Sequence, residues 1–204
     1  MNDQSEYLGQ LAEIRRMMEK SSKFMSLSGF SGIFIGFYAL IGAYISWRLL
    51  QPGTHPVRQT IILVVITAAA VLTAALVTAF LLTLRRSRKL GYHFWGPGSK
   101  QMLASLLVPL FTGGIFAIIL VLQAQYLFVA PVLLVFYGLA LTSSSRFAHR
   151  ELFSMGIIQI ILGLAAVWFP LYGLFFWACG FGIVHIIYGI LMYLKYEVTT
   201  KNTR

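Results

Sequence analysis

Residues 60–84 read TIILVVITAAAVLTAALVTAFLLTL, and Arg85-Arg86-Ser87-Arg88-Lys89 follows at once. The apolar run has 25 residues and no charge, so at about 1.5 Å per residue it is longer than the roughly 30 Å hydrocarbon core of a bilayer. Inside lipid a spanning backbone must satisfy its own hydrogen bonds. A continuous apolar run does so as a helix, whereas the dyad alternation of a membrane barrel is missing. Five further runs of this kind lie at about 27–50, 102–122, 126–142, 152–169 and 171–194. The whole chain of 204 residues is 58% hydrophobic and 11% charged, with a mean hydropathy of +0.79. No soluble core of that size hides so much apolar surface. The expected fold is therefore all-α: a polytopic membrane protein with six transmembrane helices in one bundle, covering 27–195.

Residues 102–142 are far too long for one crossing and must fold back, with Gln123, Gln125 and Tyr126 marking the turn. Pro170 separates the last two runs, because proline cannot donate to a continuing helix ladder. Of the 16 Lys and Arg, only Arg48 and Arg58 fall in gaps on one side. By the positive-inside tendency the other side is cytoplasmic, and both termini belong to it. Trp47, Tyr126, Trp168 and Tyr172 fall at the outer boundary, and Tyr92, Trp95, Tyr193 and Tyr196 at the inner one, where amphipathic rings settle. A multi-pass protein of the bacterial cytoplasmic membrane is the expected localisation.

Before the first span, residues 1–26 form a charged leader with acids as well as bases, and the apolar run after it is too long for the core of a signal peptide. Tyr7, Leu11, Ile14 and Met18 recur at helical spacing with Arg15, Arg16, Glu19 and Lys20 off that face, which predicts a short amphipathic helix lying at the inner membrane surface or packed against the protein's own cytoplasmic loops or a partner helix. Residues 196–204 are read as a cytoplasmic tail. The one cysteine, Cys179, excludes an internal disulfide.

Gly29, Gly32, Gly36, Ala39 and Ala43 recur every three or four residues and lay a strip of small side chains along the first span. In lipid, close backbone approach over such a strip is a principal means of holding helices together. Gly182, His185 and Gly189 make a smaller version on the sixth span, so the two helices are candidate neighbours. Homodimerisation and docking onto another membrane subunit are the alternative uses of the strip. His185 is the strongly polar titratable side chain near the middle of a span. All six acids, Asp3, Glu6, Glu13, Glu19, Glu151 and Glu197, sit at or beyond membrane edges. That absence of intramembrane carboxylates argues against an ordinary proton-coupled transporter. His185 is expected to be a neutral imidazole bonded across a helix interface, with Gln159 as its candidate partner; the rival account is that Gln159 bonds to backbone.

No catalytic, cofactor or metal site is assigned. Gly29-Phe30-Ser31-Gly32 with His185 downstream resembles the Gly-x-Ser-Gly and histidine of rhomboid proteases. Here, however, the serine opens the first span, and the glycines already serve packing. Gly96-Pro97-Gly98-Ser99-Lys100 lacks the spacing of a phosphate loop. His55, His93, His149 and His185 fall at different depths, so they make no common iron site. Arg85, Arg86, Arg88 and Lys89, followed by interfacial aromatics, suit anionic lipid headgroups, at roughly 1 kcal/mol per cation; the same residues also serve simply to enforce topology. Nucleic acid is not an expected partner, because so short a connection offers no groove-reading element.

Two regions carry a family resemblance. The leader from Ile14-Arg15-Arg16-Met17-Met18-Glu19-Lys20 through Ser28-Gly29 is one. The other is the closing third, with Tyr137-Gly138-Leu139-Ala140, Gly180-Phe181-Gly182, His185-Ile186-Ile187-Tyr188-Gly189 and Tyr193-Leu194-Lys195-Tyr196-Glu197. Together they resemble an uncharacterised family of small six-span bacterial inner-membrane proteins. That resemblance implies the fold and no activity. The expected function is a non-enzymatic membrane component, a scaffold or the partner of a cytoplasmic or envelope complex. Small-molecule or lipid binding and transport is the alternative, for which Ala39-x-x-x-Ala43 on a six-span chain has some likeness to the substrate-binding subunits of vitamin transporters.

Overall fold

Six helices long and apolar enough to cross a membrane are present in the computed structural model, which describes residues 29–53, 55–89, 97–148 and 150–195. The expected leader helix at 1–26 and the tail at 196–204 lie outside the described residues. Helix α1 is Gly29–Leu49, α2 is Val57–Lys89 and α3 is Pro97–Leu122. A 3₁₀ turn at Tyr126–Phe128 leads into α4, Val129–Ser144, and a second at Ser145–Phe147 precedes α5, Glu151–Trp168. The sixth span, Pro170–Tyr193, is composite: a 3₁₀ turn at Pro170–Tyr172, α6 at Gly173–Trp177, a π-helix at Ala178–Val184, and α7 at His185–Tyr193. No strand occurs among the described residues.

Span ends differ from the sequence expectation by local chemistry. The second helix runs past Leu84 through the basic residues to Lys89, because Arg and Lys are good helix formers and cations suit the carbonyl end of a helix dipole. The third begins at Pro97, whose missing N–H costs nothing in a first turn.

The helices pack as an extended row rather than a closed ring. The α4–α5 contact is the most extensive, followed by α3–α4, α1–α7 and α1–α2. The sixth span lies at the centre, against α1 on one side and α4 and α5 on the other. A cluster of Met102, Leu141, Ala148, Leu152 and Met155, with Tyr137, Val184, Tyr188 and Met192 beside it, ties α3, α4, α5 and the sixth span together at the end that carries the basic connections. At that same end Lys195 Nζ donates to Glu151 at 2.5 Å. Helix α2 is the outlier. Only 6% of its apolar window is buried, against 39% for α1.

The α3–α4 hairpin closes with Gln125 N–H donating to the Leu120 carbonyl and Ala124 N–H to that of Val121, the paired bonds of a Schellman cap. Its left-handed position is held by Ala124, at φ 57°. A Cβ is disfavoured there. Ala124→Gly is therefore expected to raise stability by about 0.5–1 kcal/mol, read as a higher unfolding temperature in detergent. A lower temperature would contradict the reading.

Candidate functional site

Two features stand out, a polar cluster inside the bundle and an exposed face on α2. Small residues position the first. A side-chain carbon added at Gly36 would lie 2.6 Å from the Gly182 carbonyl oxygen, and one added at Gly189 would lie 2.6 Å from the backbone nitrogen of Ile33. At Gly32 it would meet the Gly189 Cα at 3.0 Å. The α1 strip thus lies directly against the backbone of the sixth span, with Gly36, Ala39 and Ala43 buried. On the other side Gly138 and Gly156 face each other. A carbon on either would fall 2.6–2.7 Å from the partner's carbonyl oxygen, and a carbon on Gly163 would fall 2.9 Å from the Val135 nitrogen. The sequence did not single out this α4–α5 seam. Its signal was the seven-residue spacing of Gly156 and Gly163, two turns apart on one helix face.

Held between these seams, His185 is buried at 4% exposure and Gln159 at 0%. The Tyr137 hydroxyl on α4 lies 2.8 Å from His185 Nε2, and His185 Nδ1 lies 3.0 Å from the Gly180 carbonyl oxygen. A carbonyl oxygen only accepts, so Nδ1 carries the hydrogen, and in the neutral ring Nε2 accepts from the tyrosine. The rings are layered: His185 stacks on Tyr137 at 5.4 Å and on Phe181 at 5.9 Å, with Trp177 5.2 Å from Phe181. Gln159 reaches into the same place. Its Nε2 donates to the Gly180 carbonyl at 2.7 Å rather than to the imidazole. The partner of His185 across the interface is therefore Tyr137, and Gln159 joins the cluster through the main chain.

Gly180 lies within the π-helix, and its carbonyl serves two side chains. The i to i−4 ladder is interrupted at that point, as happens where side chains insert into a helix. Farther along the same α5–sixth-span seam, Tyr188 donates to Ser154 Oγ at 2.9 Å. Among the described residues no group of three His, Cys, Asp or Glu is placed to hold a metal ion. Ser31 is buried near the start of α1, while His185 is engaged with Tyr137 and Gly180.

On the second feature, Ile66, Ala69, Ala70, Thr73, Ala74, Val77 and Thr78 line a shallow open groove along α2. Among the residues of that helix only Thr83 and Ser87 are buried. Its sustained contact is with α1, where Val71 fits over Gly42 and Thr78 lies near the Tyr38 hydroxyl. Arg85, Arg88 and Lys89 are exposed at the end of α2, and Arg86 is half-buried between them.

No known protein family, no curated protein and no solved structure matches the chain.

Proposed function

We propose that the chain is a non-enzymatic component of a membrane assembly, a subunit that receives a partner's transmembrane helix along α2. The observation that carries this reading is the groove from Ile66 to Thr78 on a helix of 33 residues with two buried side chains. At about 1.5 Å per residue that helix extends about 50 Å, well beyond the hydrocarbon core. Small side chains in such a groove let a second backbone come close, and that contact rather than hydrophobic force associates helices in lipid. The intended occupant is a different subunit. In a parallel pair of identical chains meeting on this face, Arg85, Arg88 and Lys89 would confront their own copies, whereas a helix with an acidic end would complement them.

The basic end of α2 also supports the orientation proposed here, with the 85–89 end in the cytoplasm of a bacterial cell and the α1–α2 turn outside. A cysteine at Lys89 should label from the inner side and one at His55 from the outer, in a chain whose Cys179 is replaced. The reverse pattern would overturn the orientation. Ser87 would be a poor probe, being fully buried.

Native mass spectrometry of a mild-detergent extract tests the function. The expected result is the chain carrying a second polypeptide, which Ala70→Phe together with Ala74→Phe releases without lowering the unfolding temperature of the chain itself. Recovery of a single chain with a retained small molecule would favour binding or transport instead.

A further inference from the structure

Within the bundle, the hydrogen-bonding groups around Gly180 do not balance. The Gly180 carbonyl accepts from Gln159 Nε2 and from His185 Nδ1, and His185 Nε2 accepts from Tyr137. Among the described residues no group donates to Gln159 Oε1, which belongs to a side chain with 0% exposure. Exchanging the two ends of the amide does not help, because it would set Oε1 against the Gly180 oxygen, acceptor to acceptor. Buried acceptors in proteins find a donor, and where protein supplies none an ordered water or a ligand does.

We propose that Gln159 Oε1, beside the π-helical turn, is a binding site for one small hydroxylic hydrogen-bond donor, with water as the resident in the resting protein. Two observations converge on it. Residue 180 is glycine, and the position a Cβ would take there lies against Gln159 Oε1 and Leu134 Cδ2, so a side chain at 180 would crowd the oxygen. The π-helix interrupts the regular ladder at this level, the situation in which a water enters a helix. This site stands apart from the α2 groove, and neither depends on the other.

The test is solid-state NMR of the isotope-labelled full chain in lipid bilayers, following magnetisation from water to the Leu134 methyl and the Gly180 Hα. Both are carbon-bound hydrogens that do not exchange. The wild type should show transfer to both, and Gln159→Met, which keeps the length and removes the acceptor, should lose it. Gly180→Ala should lose it as well, because the new methyl would press on Oε1 and on Leu134 and displace the amide. If water is absent but native mass spectrometry finds a small hydroxyl-bearing molecule retained by the wild type and lost in Gln159→Met, the site stands with that molecule as its occupant. A wild-type protein with neither water transfer nor a retained molecule overturns the proposal, whether or not the variants fold.

Discussion

Gly36→Leu should abolish the central contact of the bundle, lowering the stability of the chain by about 3 kcal/mol or more. For a chain of this size that corresponds to roughly 6–12 °C in unfolding temperature. A side-chain carbon at this position would already stand 2.6 Å from the Gly182 carbonyl oxygen and 3.1 Å from the Ile186 nitrogen. Both are main-chain atoms of a neighbouring helix, and they cannot move aside as the tip of a side chain would. To admit leucine, α1 must part from the sixth span, and that separation also exposes Ala39, buried at 2%. Phe34→Leu is the matched control. Phe34 is exposed to 39%, and its ring touches Phe30 at 5.4 Å and Tyr38 at 6.3 Å. Its loss should cost no more than about 1.5 kcal/mol. Equal unfolding temperatures for the two variants would show that the strip does not hold the helices.

A second pair of substitutions should move stability in opposite directions although both replace glycine by alanine within a helix. At Gly156 the new methyl would lie 2.7 Å from the Gly138 oxygen and 2.9 Å from the Thr142 nitrogen, again main chain. Gly156→Ala is expected to cost about 2–3 kcal/mol. At Gly114 none of the described residues lies within 4 Å of the added carbon. Gly114→Ala should therefore express only the gain in helix propensity, about 0.5–1 kcal/mol of stabilisation. Thermal unfolding of both variants in one detergent checks the contrast. A stabilised Gly156→Ala would mean that α4 and α5 are farther apart than described.

The six spans were legible because apolar length is a strong signal and a bilayer has a fixed thickness. The small-residue strip on α1 was legible for a related reason, since a repeat of three and four residues defines one face whatever the helix packs against. Periodicity does not identify the partner or the axial register. Gly138 and Gly156 meet because α4 and α5 cross at that height, and nothing local to either helix says so. The polar cluster shows the same limit more sharply. His185 and Gln159 could be recognised as polar groups needing partners, but the π-helix at Ala178–Val184 shifts the sixth span against a regular helix. The shift brings the Gly180 carbonyl, instead of the imidazole, to Gln159, and leaves Tyr137 to meet His185. The exposure of α2 was likewise hidden, because a helix that faces lipid and one that faces a neighbour draw on the same apolar residues.

The claim that α2 receives another subunit's helix makes a periodic prediction. With a photoreactive side chain placed singly along α2 in native membranes, crosslinks to a second polypeptide should concentrate at Ile66, Ala70, Thr73 and Val77, which share the groove face. They should fall away at Leu72 and Leu76, exposed to 60% and 59% without lining the groove. Crosslinking to lipid alone at every position, or equal protein crosslinking around the whole helix, would contradict the account.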